Sequence, residues 1–177
     1  MPHLLTVSGS LRAGSSNAAL LAAAGLVAPA GVTVSSYDAL DTVPPFNPDL
    51  DDGVSPLPNA VAQWRAAIGS ADAVLFSSPE YAHGIPGALK NALDWLVGGS
   101  EAVEKRVGLL SASAASRFAH PQLVEVLTTM NARVVPQATV VLDIPRRGID
   151  AAQIAADPML ASALRAVVTA LIAATDP

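Results

Sequence analysis

Two short stretches of this chain carry residue types that bind a small anionic or planar ligand. The first, Ser8-Gly9-Ser10-Leu11-Arg12-Ala13-Gly14-Ser15-Ser16-Asn17, follows an apolar run and opens an Ala/Leu-rich segment. Its hydroxyls, the Asn17 amide, the Arg12 guanidinium and the free N–H groups of a helix start match a terminal phosphate dianion, which accepts many hydrogen bonds and favours a bidentate Arg. A structural reading competes, with Ser15 or Ser16 as a helix N-cap and Arg12 as a solvated loop charge. The stretch has no G-x-G-x-x-G, which argues against a dinucleotide pyrophosphate, and no G-x-x-x-x-G-K-[ST], which excludes a P-loop.

The second stretch, Ser77-Ser78-Pro79-Glu80-Tyr81-Ala82-His83-Gly84-Ile85-Pro86-Gly87, joins a strand to a helix. Pro86 suits a first helical turn. Upstream, Pro79, Gly84 and Gly87 fix or permit close backbone approach, and Tyr81 and His83 add flat rings, an arrangement suited to a planar heterocycle lying against backbone amides.

Other chemistries find little support. No G-x-S-x-G elbow exists for a serine nucleophile. His3, His83 and His120 have no partner at metal-binding spacing, and the acids Asp49, Asp51 and Asp52 lack the ligand pattern of an EF loop, so no metal site is expected. With no Cys, thiol catalysis, disulfides and Cys-ligated metal centres are excluded. Ten Lys plus Arg against fifteen Asp plus Glu give a net charge of −5, so no general field attracts nucleic acid or anionic lipid.

The elements that must position the two stretches follow from the hydropathy pattern. Of the 177 residues 51% are hydrophobic, enough for one domain over residues 1–177 with a sizeable core. Short β-branched or Leu-rich runs alternate with Ala/Leu segments at helical spacing, as in a parallel sheet covered on both faces. Strands are predicted at His3–Ser8, Val32–Tyr37, Ala73–Ser77, Arg106–Ser111 and Val134–Leu142, the last an edge or late-starting strand because of Pro136. Helices are predicted at Asn17–Ala28, Leu57–Gly69, Pro86–Val97, Gln122–Asn131 and Ala151–Ala174, with a break near Asp157-Pro158. This is a (βα)5 chain, in which ligands sit at the carboxyl ends of the strands. The Pro-rich connection Asp38 to Pro56 is either a loop over that edge or a surface excursion.

Ala13 to Tyr37 carries no charge, so a signal or membrane segment competes there with a buried helix. Pro29 and Gly31 cut its apolar helix to about a dozen residues, where a span needs ~20, and an apolar run already precedes Arg12. An Ala-rich helix buried against the sheet is the expectation, with no membrane partner and a cytoplasmic location.

Gly9-Ser10-Leu11-Arg12 with Ser15-x-Asn17, then Pro79-Glu80-Tyr81 leading to Ile85-Pro86-Gly87-x-Leu89-Lys90-Asn91-Ala92-x-Asp94-Trp95, resembles the NADPH-dependent FMN reductase family of the flavodoxin-like fold. The connection Val43-Pro44-Pro45-Phe46-Asn47-Pro48-Asp49 is similar to that family's second crossover. The resemblance implies a doubly wound α/β/α domain of three layers whose five-stranded parallel sheet has order 2-1-3-4-5. It places the FMN phosphate on Ser10, Arg12, Ser15, Ser16 and Asn17. It lays the isoalloxazine and ribityl along Pro79, Glu80 and Tyr81, and by position His83 and Gly84. The loop after the fourth strand, Ser111 to Arg117, lacks the glycines usual there, and Ser113 is its expected contact.

The implied activity is FMN-dependent NAD(P)H oxidation. Hydride passes from NADPH or NADH to flavin N5 and on to free FMN, a quinone or another small acceptor, so no catalytic side chain is required. Backbone N–H groups would stabilise charge gathering at N1 and the C2 carbonyl. Phe46, Tyr81 and Arg117 are candidates to flank the nicotinamide or acceptor, and Arg117, Arg146 and Arg147 to meet a 2′-phosphate. The resemblance also implies a homodimer or homotetramer; the helix Pro86–Val97 ends in Trp95-Leu96-Val97 and the helix Gln122–Asn131 is apolar on more than one side, an excess that reads either as a subunit interface or as a wide core-facing stripe. The rival reading is a non-enzymatic flavodoxin-type FMN electron carrier or a flavin sensor. Strong acidity and bracketing aromatics, expected of a flavodoxin, are missing at 4% aromatic residues.

Overall fold

The computed structural model describes residues 1–144 and 148–173. Strands β1 (His3–Ser8), β2 (Thr33–Tyr37), β3 (Ala73–Ser77), β4 (Arg106–Ser111) and β5 (Arg133–Val141) form one parallel sheet of order β2-β1-β3-β4-β5. This is the expected order, that of flavodoxin-like folds. Helices α1 (Ser16–Leu26), α5 (Ala151–Ala156) and α6 (Pro158–Ala173) pack on one face; α2 (Asn59–Ser70), α3 (Gly87–Asp94) and α4 (Ala119–Thr129) pack on the other. The sheet divides the core by strict alternation. Leu5, Val7, Val74 and Phe76 join Trp64, Leu89, Trp95 and Leu123, whereas Leu4, Ala73 and Leu75 join Leu20, Leu164 and Leu171. All five residues of β3 are buried, as a mid-sheet strand covered on both faces must be.

Boundaries moved where local chemistry overrode periodicity. Helix α4 starts at Ala119 rather than Gln122, since Pro121 falls in the first turn, where its missing N–H costs nothing. Helix α3 ends at Asp94, with Leu96 and Val97 continuing as turns whose N–H groups reach Leu93 O and Asp94 O. The predicted break falls at Asp157, whose carboxylate accepts from Met159 N (2.9 Å) and Leu160 N (3.0 Å) and so caps α6 at Pro158. Pro136 lies on edge strand β5, inside a register irregularity between the pairs Val107↔Val134 and Leu109↔Thr139. The Ala-rich segment is α1, with Leu20, Leu21, Ala23 and Ala24 buried, and among the described residues no helix is long and apolar enough to cross a membrane. Ala174, the expected end of the last helix, and Arg146 and Arg147 lie outside the described residues.

The Pro-rich connection turns out to be stitched to α3. Asn91 accepts from Phe46 N (2.7 Å) and donates to Val43 O (3.2 Å) and Pro44 O (2.9 Å), while Trp95 Nε1 donates to Pro44 O (2.8 Å). Leu40 and Val43 are buried in the core, and Asp51 pairs with Arg65, whose Nε donates to Trp95 O. On α4, Val124, Val126 and Met130 pack partly buried against the same core. That packing places part of its apolar surface in a wide core-facing stripe.

Candidate functional site

The sheet order decides where a cleft can open. Strands β1 and β3 are neighbours, but the chain leaves β1 for α1 on one face and β3 for α3 on the other, so the two loops diverge at their carboxyl ends. The cleft between them, about 460 Å³, is closed on its third side by the loop after β4. It is lined by the expected Ser10, Arg12, Ser15, Ser16, Asn17, Pro79, Glu80, Tyr81 and Ser113. Ser78, Ser111, Ala112, Ala115, Ser116 and Ile144 also line it and were not singled out from sequence. The available signal was a serine at a strand's carboxyl end, since Ser78 directly follows β3 and Ser111 ends β4, and both are buried polar residues. Ile144 arrives from the segment after β5, where no motif marked it.

The first loop is drawn in tightly. Gly9 N donates to Ser77 O (2.8 Å), and a Cβ at Gly9 would stand 2.8 Å from Ser78 Oγ and 2.9 Å from Leu89 Cδ2. Ser8 Oγ closes a turn with Ser10, accepting from Ser10 N at 3.2 Å. Ser15 is the N-cap of α1, with its hydroxyl accepting from Ala18 N at 3.5 Å, so the structural reading of that serine holds. Ala19 N is taken by Ser15 O. That leaves the helix-start amides of Ser16 and Asn17 beside the cleft, at the positive end of the α1 dipole. Asn17 is buried and accepts from Ser77 Oγ. Arg12 is exposed at the cleft wall and forms no salt bridge among the described residues. An exposed guanidinium, several hydroxyls and helix-start amides line one cleft, and each of these groups can donate a hydrogen bond to an anion.

In the second loop, Tyr81 and Gly84 form a two-residue hairpin closed by bonds of 2.9 and 3.0 Å. Ala82 (φ 49) and His83 (φ 61) take the left-handed region that such a turn requires, at a cost of about 1–3 kcal/mol each. The turn aims His83 away from the cleft lining and onto Phe118, ring centroids 4.4 Å apart and planes at 30°. Gly84 faces Gln122, whose Oε1 accepts from Ile85 N (2.8 Å). Glu80 Oε2 accepts from Phe118 N (2.6 Å), Ala119 N (2.9 Å) and Ser116 Oγ (3.4 Å). The Ala119 and Phe118 amides, chiefly, hold the Glu80 carboxyl below its ordinary range. Phe46 packs edge-on against Trp95 with centroids 5.1 Å apart, and Arg117 is exposed; neither lines the cleft.

A doubly wound sheet of order 2-1-3-4-5 with a cleft at its switch point defines a protein of the flavodoxin-like class. Within that class the chain belongs to the NADPH-dependent FMN reductase family, whose model matches residues 2–146. It is 42% identical over 97 residues to a probable NADPH:quinone oxidoreductase 2 of Oryza sativa subsp. japonica, covering 52% of this chain and 46% of that protein. It is 45% identical over 93 residues to an NAD(P)H-dependent FMN reductase of Pseudomonas aeruginosa, covering 52% and 48%. The chain thus matches about half the length of these curated relatives. Among solved structures, the flavoenzyme NAD(P)H:(acceptor) oxidoreductase FerB of Paracoccus denitrificans has a TM-score of 0.70 at 24% identity, with 98% of each chain covered. That likeness shows the fold.

Proposed function

We propose that this chain is an FMN-dependent NAD(P)H oxidoreductase that delivers electrons to a quinone or to free flavin. The observation that carries the reading is the cleft at the switch point, where Arg12, with no acidic partner among the described residues, Ser10, Ser15, Ser16 and the α1 N-terminus face one space. Family membership and the printed activities of the two relatives support it. Bound FMN would supply the chemistry, taking hydride from reduced nicotinamide and passing electrons to the acceptor. Arg12, the serines and the amides of Ser16 and Asn17 would hold the phosphate. Pro79, Glu80 and Tyr81 on one side, and Ser111, Ser113 and Ser116 on the other, would border the ring and shape what reaches it. No side chain need transfer a proton in this scheme. A cytoplasmic location and a homodimer or homotetramer belong to the same proposal, and sedimentation reads the latter.

The test is spectroscopic. Purified protein titrated with FMN should bind it, and anaerobic NADPH should then bleach the flavin absorbance without a second protein. Protein that binds FMN but keeps its colour until a reductase is added would be an electron carrier. Protein that leaves FMN unbound would overturn the reading.

A further inference from the structure

The loop after β4 shapes one wall of the cleft without the backbone freedom of glycine. From Ser111 to Phe118 there is no glycine and no residue of positive φ. Serine turns build its middle: Ser111 Oγ donates to Ser113 O (2.9 Å), Ala115 N to Ser113 Oγ (3.2 Å) and Ser116 N to Ser113 O (3.2 Å). Such side-chain-to-backbone turns are local and weak, and alone they leave a loop loose.

Two carboxylates from elsewhere in the fold hold it. Asp143, in the segment following β5, accepts from Ala114 N (3.1 Å), and next to it Ile144 N donates to Ala112 O (3.2 Å). Glu80, on the second cleft loop, takes the far end through Phe118 N, Ala119 N and Ser116 Oγ. The N-cap position of α4 is Phe118, which has no side-chain acceptor, and the first turn of α4 holds no acid. Glu80 therefore does from a neighbouring loop what an Asp or Ser at that position would do locally, with a full charge at the positive end of the helix. Because Pro79, Glu80 and Tyr81 themselves line the cleft, this bond fixes the separation of the two walls that face each other across it.

We propose that Glu80 and Asp143 are positioning residues which clamp the third loop in the shape that receives the flavin ring. The inference rests on the cleft being an FMN site, and it gives Glu80 a role distinct from direct cofactor contact. The clamp acts at the ring end of the cleft, whereas Arg12 acts on the phosphate.

The experiment compares wild type, E80A, E80Q, D143N and R12A in two measurements. The first is amide hydrogen exchange of the flavin-free proteins across residues 112–119. The second is titration with FMN and, separately, with riboflavin, which lacks the phosphate. E80A should speed exchange at Phe118 and Ala119 and weaken both flavins by the same factor, about tenfold. E80Q keeps an acceptor oxygen and should recover most of that loss; D143N should speed exchange at Ala114. R12A should weaken FMN and leave riboflavin unchanged. If E80A fails to fold, D143N carries the comparison through exchange at Ala114 and through its flavin affinity. Wild-type binding of FMN with unaltered flavin affinity or unaltered exchange in E80A and D143N overturns the clamp and spares the site. Wild type that binds neither flavin overturns the site and the clamp's purpose together, and exchange then reports only on the loop's anchoring.

Discussion

Ser77, the last residue of β3, donates its hydroxyl to Asn17 Oδ1 in the first turn of α1 at 2.8 Å, and both residues are buried. The bond joins the two chain segments that diverge to opposite faces of the sheet, and so sets the floor of the cleft. Removing the acceptor leaves a buried hydroxyl without a partner. Asn17→Ala should cost about 1–3 kcal/mol of unfolding free energy, and Ser77→Ala added to it should cost less than the sum of the two single changes. Denaturant unfolding of the four proteins checks this, and strict additivity would show the bond to be energetically idle.

Gly9 has a steric duty that no φ value reveals. A methyl group there meets Ser78 Oγ at 2.8 Å and Leu89 Cδ2 at 2.9 Å, and Leu89 is fully buried in the core. Gly9→Ala should therefore destabilise the fold by about 1–3 kcal/mol and also displace the first loop from the second. Gly14→Ala, with open space around it but φ +67, should cost only the backbone strain. Melting temperatures of the two variants order the effects, and equal losses would discount the packing argument.

Much of this arrangement was legible in the residues. The alternation of β-branched runs with Ala/Leu segments located the strands to within a residue or so, because buried parallel strands have few other ways to read. The first loop was legible as a strand-to-helix connection because Ser15 and Ser16 stand just before an Ala-rich run, where an N-cap is expected. What stayed hidden depends on pairs distant in sequence. Nothing local to Glu80 shows that its partners are the amides of Phe118 and Ala119, and nothing near His83 shows that a left-handed turn lays its ring on Phe118. Phe46 is expected from the sequence to flank the nicotinamide or acceptor, yet Asn91 and Trp95 draw it against the core and away from the cleft lining.

That last contact makes Asn91 a structural residue. Its side chain satisfies one N–H and two carbonyls of the Pro-rich connection, whose backbone otherwise has little regular pairing. Asn91→Ala should lower stability by about 2–4 kcal/mol, summing lost bonds at partly buried groups, and leave FMN affinity within a factor of about two. Calorimetry alongside a flavin titration separates the effects. A large loss of affinity at unchanged stability would move Asn91 into the site.

Acid should weaken the fold in two stages. Burial holds the His120 imidazole below its ordinary value, so the folded state favours the neutral ring. Stability linked to His120 is full above the ordinary histidine range and falls as pH drops from there towards the lowered folded value. The Glu80 carboxyl is also lowered, by the Ala119 and Phe118 amides, so its contribution is full above the ordinary carboxylate range and is lost as pH falls through the lowered folded value. Melting temperature against pH should lose its upper limb in His120→Gln and its lower limb in Glu80→Gln. Curves parallel to wild type would remove the residue concerned from the account.

Arg12 decides between an anion cradle and a helix start with spare serines. Ser15 is an N-cap in either case, whereas the exposed Arg12 guanidinium, which has no salt bridge among the described residues, is either a solvated loop charge or the partner of an incoming anion. On the anion reading, Arg12→Ala should weaken FMN binding by about 2 kcal/mol while changing melting temperature little, since no salt bridge among the described residues is lost. Raising salt should weaken wild-type binding more than it weakens the variant, because the charge–charge part of the interaction is screened at an exposed site. Inorganic phosphate should compete with FMN in wild type and lose that competition in the variant. Equal FMN affinity in the two proteins would leave the serines and the α1 amides as the whole phosphate site and return Arg12 to solvent.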